Sequence, residues 1–134
     1  MAKLVDIEGV GESYAQKLKA AGIPTTEVLL EKGATPKGRK EIAEKSGISE
    51  KLVLEWVNHV DLFRIKGVAS EYADLLEASG VDTVRELAHR IPDHLFKKMQ
   101  EANAAKKLVR QLPTLAKVTD WVEQAKQLPP AVTY

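Results

Sequence analysis

The sequence predicts an all-α fold made of two copies of one helical unit, with about eight short helices in total. Three observations predict it. Threonine, serine and glycine occur where helices would begin and end, the apolar residues between them recur at helical spacing, and the sequence repeats itself. Strands are not indicated, because apolar fragments such as KLVLEWV, residues 51–57, lack both flanking turn residues and strict alternation.

The repeat aligns without gaps. Residues 4–29, LVDIEGVGESYAQKLKAAGIPTTEVL, match residues 62–87, LFRIKGVASEYADLLEASGVDTVREL, at a constant offset of 58, with eleven of 26 positions identical. A second match pairs LEWV, ending at Val57, with TDWV, ending at Val122, at an offset of 65. We therefore predict a single domain over residues 1–134, made of repeats at 1–61 and 62–128 and an extended tail at 129–134.

Each repeat is predicted to contain four helices. In the first repeat, Tyr14, Ala15 and Leu18 share one face of a helix that ends before Gly22 in the left-handed conformation. Each of the further helices begins at a threonine or serine that can cap it, or at a proline that is favoured in the first turn of a helix. They run from Thr25 or Thr26 to Gly33, from Thr35 and Pro36 to near Gly47, and from Ser49 past Val60; in the second repeat they cover 70–79, 83–90, 92–112 and 114–128.

The two tryptophan helices predict how the repeats combine. A full helix with Trp56 precedes the second turn, whereas only six residues precede the first turn, and the helix with Trp121 is left over at the end. We expect the Trp121 helix to fold back beside the first turn, so that two interlocked halves form one cooperative domain about a pseudo-two-fold axis. Both tryptophans are expected to pack in the core, because valines surround them at matching positions.

Composition narrows the function classes. The chain has 44% hydrophobic and 29% charged residues, and 20 basic against 19 acidic residues give a formal net charge of +1. Disorder is therefore not expected, and any nucleic-acid binding must come from local patches. With no cysteine, no long apolar run and no secretory pattern in MAKLVDIEG, we expect a cytoplasmic protein without disulfides, thiolate metal sites or a membrane partner.

A Gly-Val-Gly turn in IEGVGESYAQKL, residues 7–18, is the most specific motif. It lacks the third glycine of a dinucleotide fingerprint, and the chain has no phosphate-loop pattern. Instead, it resembles the helix-hairpin-helix family, whose turns present backbone amides to a DNA phosphate at a helix start. Nearly the whole length resembles a bacterial family of tandem helix-hairpin-helix proteins known only as a domain of unknown function. The residues that carry the resemblance are Ile7, Gly9, Val10, Gly11, Ala15, Leu18, Gly22, Ile23 and Thr25.

The two copies of the turn differ in charge. Asp6, Glu8 and Glu12 surround the first turn, and DNA-binding relatives generally place basic residues where this chain has Glu8 and Glu12. The second turn, RIKGVASEYA, has Arg64 and Lys66, but alanine replaces the second glycine, and we expect this alanine to restrict its backbone. The predicted nucleic-acid contacts within the turns are Gly9, Val10, Gly11, Arg64, Lys66, Gly67, Val68 and Ala69.

Two basic segments are the other candidate contacts. Residues 32–45 carry a local charge of +3 and residues 97–110 a local charge of +4, at equivalent places in the two repeats. On one face they would form a patch for a few phosphates, whereas as solvated helix faces they would only keep the protein soluble. The candidate phosphate contacts in the two segments are Lys37, Arg39, Lys40, Lys106, Lys107 and Arg110.

No pattern predicts catalysis. His59, His89 and His94 form no i, i+4 metal pair, and no serine or cysteine lies in a nucleophile motif. We predict a non-enzymatic module without cofactor, metal or small-molecule substrate. Two functions remain open: weak, sequence-nonspecific binding of the DNA backbone, and protein–protein interaction through the same hairpins.

Overall fold

A computed structural model of the chain describes residues 3–7 and 9–134 and has an all-α fold, as predicted. Within these residues there is no strand, and none of the helices is long and apolar enough to cross a membrane. One short 3₁₀-helix at Leu4–Asp6 precedes the α-helices. The α-helices described are α1 (Glu12–Ala20), α2 (Thr26–Lys32), α3 (Pro36–Ser46), α4 (Glu50–Leu62), α5 (Ser70–Ala78), α6 (Val84–Ala88), α7 (Pro92–Lys106) and α8 (Leu115–Gln127).

Threonine side chains start four of these helices, as the sequence predicts. Each hydroxyl oxygen accepts a hydrogen bond from the backbone amide three residues later, at 3.1 to 3.3 Å. Such a cap satisfies one of the amides that a helix start leaves without an internal acceptor. The capping residues are Thr25 for α2, Thr35 for α3, Thr83 for α6 and Thr114 for α8.

One predicted helix end is wrong: α7 stops at Lys106 and does not reach residue 112. Lys107 adopts a left-handed conformation, with φ of 52°, and its amide donates to the Asn103 carbonyl at 2.8 Å. The Asn103 side chain then bonds both the amide and the carbonyl of Val109, at 3.0 and 3.2 Å. An asparagine side chain that bonds the backbone beyond its own helix stabilises the end of that helix.

The chain divides into two compact units. The first unit comprises Met1–Asp61 together with Ala131–Tyr134, and the second comprises Leu62–Pro130. Each unit has buried apolar residues from all of its helices. In the first unit they include Leu18, Leu29, Ile42, Val53 and Trp56, and in the second Leu75, Leu76, Leu87, Leu95 and Trp121.

The predicted position of the Trp121 helix is wrong. Helix α8 packs against α6 and α7 of its own unit, and the Trp121 ring lies 5.3 Å from the Tyr72 ring, centroid to centroid. In the first unit, Trp56 pairs in the same way with Tyr14 at 5.1 Å. Because each unit supplies the tryptophan helix that follows its turn in sequence, the first turn needs no helix before it.

Candidate nucleic-acid interface

The two turns share a hydrogen bond and a glycine with positive φ. In residues 7–10 and again in residues 65–68, the amide of the fourth residue donates to the carbonyl of the first, at 3.0 and 3.1 Å. The third residue is Gly9 or Gly67, with φ of 87° and 95°. A four-residue turn with positive φ at its third position favours glycine there, because a Cβ atom is disfavoured in this region.

The residue that follows each turn is not constrained to be glycine. Gly11 has φ −86° and ψ −177°, and Ala69 has φ −102° and ψ −172°, which is extended backbone that any residue adopts. The expectation that Ala69 restricts the second turn is therefore wrong. A Cβ atom placed at Gly11 would meet no atom within 4 Å. Both residues are the N-caps of the following helices, α1 and α5.

A tryptophan lies directly beneath each turn. A Cβ atom placed at Gly9 would lie 3.7 Å from Nε1 of Trp56, and one at Gly67 would lie 3.1 Å from Nε1 of Trp121. Both indoles are buried, which confirms the prediction that they are core residues. The side chains of Val10 and Val68 are also buried, so these two residues can offer only backbone to a ligand.

Charges of both signs surround the first turn. An open groove beside it is lined by Lys3 and Lys19 together with Glu12 and Glu27. The Asp6 carboxylate accepts a hydrogen bond from the Lys3 amide at 2.8 Å. The described charges that line the groove therefore leave no excess of positive charge for a phosphate. Glu8 lies outside the described residues.

Two of the predicted cationic contacts donate hydrogen bonds to backbone carbonyl groups of the protein itself. Arg64 is half-buried, and its Nη1 donates to the carbonyl of Pro129 at 2.9 Å. Arg39 is only 5% exposed and donates from Nη1 to the Gly33 carbonyl at 2.8 Å and from Nη2 to the Thr133 carbonyl at 2.7 Å. Burial lowers the pKa of Arg39 from its ordinary value. Both guanidinium groups thus have structural roles in addition to their charge.

The remaining predicted cations are exposed. Lys66 lies within the second turn, and Lys37 and Lys40 lie on α3 of the first unit. Helix α7 ends at Lys106, and its C-cap is Lys107. A cation at this end of a helix interacts favourably with the helix dipole. Arg110 follows them and is exposed. The two basic segments belong to different units, and both interpretations of them, a shared phosphate-binding patch and solvated helix faces, stay hypotheses.

Residues 8–128 match a protein-family model. The chain belongs to the family described as Domain of unknown function (DUF4332). Neither a curated protein nor a solved structure matches the chain. The family match covers the second turn, all of the first turn after Ile7, and both tryptophan helices of this DUF4332 chain.

Sequence reasoning missed Gln124, which holds the second turn from α8. Its Oε1 accepts from the Lys66 amide at 2.8 Å, and its Nε2 donates to the Lys66 carbonyl at 3.1 Å and to Asp120 Oδ2 at 2.8 Å. Both backbone groups of Lys66 are thereby bonded, while its side chain remains exposed. The sequence feature that could have indicated this role is the spacing of Gln124 from Trp121. Residues three apart lie on the same side of a helix, and Trp121 lies beneath residues 65–68.

Proposed function

We propose that this DUF4332 chain is a tandem helix-hairpin-helix protein that binds the sugar-phosphate backbone of DNA without sequence preference. The observation that carries the proposal is the hydrogen bond and the positive-φ glycine that the turns at residues 7–10 and 65–68 share, followed directly by a helix in each case. A helix start offers backbone amides and the positive end of the dipole to an anion. Contacts of this kind give affinity but read no bases.

The two helix starts differ chemically from most others in the chain. Helices α2, α3, α6 and α8 begin with a threonine whose hydroxyl oxygen accepts a backbone amide. Gly11 and Ala69, at the starts of α1 and α5, carry no side-chain acceptor. A phosphate oxygen would therefore take the place that a threonine oxygen takes elsewhere.

The second turn is the stronger candidate for binding. Its Lys66 side chain is exposed, and the bonds from Gln124 fix the backbone from which that side chain extends. Residues 62–130 contain eleven basic and nine acidic residues, whereas the first unit contains nine basic and ten acidic residues. Because phosphate binding strengthens with each cation that replaces a counterion, we expect the second unit to supply most of the affinity.

The test is the salt dependence of binding to a random-sequence duplex. Contacts to about four phosphates predict a slope of roughly −3 to −4 in log affinity against log salt between about 50 and 200 mM. Lys66→Gln should lower the affinity and reduce the magnitude of the slope by about 1. Lys117→Gln is the matched control, because Lys117 is an exposed lysine of the same unit and carries the same charge. Equal effects of the two changes would show that only diffuse charge is involved.

Protein–protein interaction is the second candidate, and one observation favours it. Glu12 and Glu71 are exposed in the first turns of α1 and α5, where a carboxylate interacts favourably with the helix dipole and repels a phosphate. If the duplex does not bind at low salt, or binds with no salt dependence, the DNA proposal fails. The hairpins would then be assigned to a protein partner.

A further inference from the structure

Residues 131–134, the docked segment, bind to the first unit, although the preceding chain belongs to the second. The Thr133 amide donates to the Ala34 carbonyl at 2.8 Å, and the Thr133 hydroxyl donates to the same oxygen at 3.2 Å. Val132 is buried, with 6% of its surface exposed. The segment is therefore bound through both its backbone and an apolar side chain.

The protein provides a specific site for this segment. The guanidinium of Arg39 is buried and bonds the Thr133 carbonyl at 2.7 Å, and it lies 5.9 Å from the centre of the Tyr134 ring. The Tyr134 hydroxyl donates to Asn58 Oδ1 at 3.0 Å. We call the site formed by Ala34, Arg39 and Asn58 the tail site. A buried arginine bonded to a peptide carbonyl is a costly arrangement without that carbonyl, because its charge would lose an acceptor.

The chain enters the tail site through two exposed prolines. Pro129 is the last residue bonded to Arg64 of the second unit, and Ala131 is the first residue that belongs to the first unit. Consecutive prolines favour an extended, stiff connection. Short stiff connections to a separable segment are where identical chains exchange that segment.

We propose that the tail site also takes the docked segment of a second copy of this chain, which gives a tail-exchanged dimer. The proposal is independent of DNA binding. Every copy contains both the site and the segment, so exchange restores each hydrogen bond of the closed monomer. The balance then depends on the effective concentration of the chain's own segment relative to the concentration of other chains. We expect closed monomers in dilute solution and dimers in concentrated solution.

Two full-length variants that complement each other test the proposal. Arg39→Gln damages the tail site and keeps the segment, whereas Val132→Asp keeps the site and places a charge on the buried segment position. Each variant alone should be monomeric by sedimentation. An equimolar mixture should form a one-to-one dimer, because one chain supplies a segment and the other a site, with no internal competitor. Lys40→Gln is the control, because Lys40 is an exposed neighbour of Arg39 on α3. A mixture of Lys40→Gln with Val132→Asp should form no more dimer than a mixture of the wild-type chain with Val132→Asp.

A synthetic peptide of residues 128–134 provides the second measurement. In excess, it should dissociate the mixed dimer into monomers by filling the tail site. A mixture that stays monomeric up to about 1 mM would overturn the proposal, because exchange should be favourable at that concentration once the internal segment is disabled. A mixed dimer that persists in excess peptide, or dimerisation of either variant alone to the same extent, would also overturn it. If Arg39→Gln lowers helicity by circular dichroism, Asn58→Ala takes its place as the damaged site, with the same expected results.

Discussion

Replacing Gly9 by alanine tests whether the first turn needs glycine for its conformation, and Gly11→Ala is a matched control two residues away. The same methyl group is added in both cases. At Gly9 it enters a residue with φ of 87°, whereas at Gly11 φ is −86° and no atom lies within 4 Å of the new Cβ. Gly67→Ala extends the series, because its Cβ would meet Nε1 of Trp121 at 3.1 Å.

The structure predicts a graded loss of stability. Holding alanine in the left-handed region costs about 1–2 kcal/mol, and the lower entropy of the unfolded chain returns about 0.4–1 kcal/mol. We therefore expect Gly9→Ala to lose about 1 kcal/mol. Gly67→Ala should lose about 2 kcal/mol, since the tight contact with Trp121 adds a packing cost. Gly11→Ala should change the free energy of unfolding by less than about 0.5 kcal/mol, because the weaker N-cap offsets the entropy gain.

Urea unfolding followed by tryptophan fluorescence measures these differences, because one indole lies beneath each turn. With a slope of about 2 kcal/mol per molar urea, a loss of 1 kcal/mol lowers the midpoint by about 0.5 M. Equal losses for Gly9→Ala and Gly11→Ala would refute the reasoning, since they would show that φ does not decide the cost.

Three further changes test the packing and the charges. Gly38→Ala should lower the melting temperature and cost about 2 kcal/mol of stability, because the new methyl group would overlap the Lys32 carbonyl. If only the higher helix propensity of alanine mattered, the change would stabilise the protein by about 1 kcal/mol, so a higher melting temperature would contradict the prediction. Asn103→Ala should cost about 1–3 kcal/mol in urea unfolding by removing both bonds to Val109, and an unchanged midpoint would contradict that role. Glu12→Gln should raise duplex affinity while lowering stability by about 0.3–1 kcal/mol, and weaker duplex binding would contradict the proposed contact at this turn.

The helix starts could be predicted because short-range chemistry determines them. Thr25, Thr35, Thr83 and Thr114 each cap a helix through a bond that spans three residues, so the sequence contains both partners of every cap. The same holds for Gly47, which ends α3 in the left-handed conformation. The end of α7 was missed because Asn103 looks in the sequence like any polar residue within a helix. Its hydrogen-bond partner, Val109, lies beyond the helix.

The role of Arg39 could not be predicted, because its partner is distant in sequence. Arg39 lies between Lys37 and Lys40 and looks like part of a basic surface. Its bond to Thr133 joins residues 94 apart, and no local pattern specifies such a pair. The same limit explains the tail, in which two prolines predict an extended chain but not the surface to which that chain binds.

Contacts within each unit account for the conformation of both turns. An indole supports Gly9 and another supports Gly67, and Gln124 bonds the Lys66 backbone. A ligand would therefore meet a turn that is already formed and would not have to order it, which lowers the free-energy cost of binding. Since the two turns share their hydrogen bond and glycine conformation and differ in the charges beside them, the side chains should decide which turn binds an anion more strongly. Exposed Lys66 gives the second turn that advantage, whereas cations and carboxylates balance beside the first.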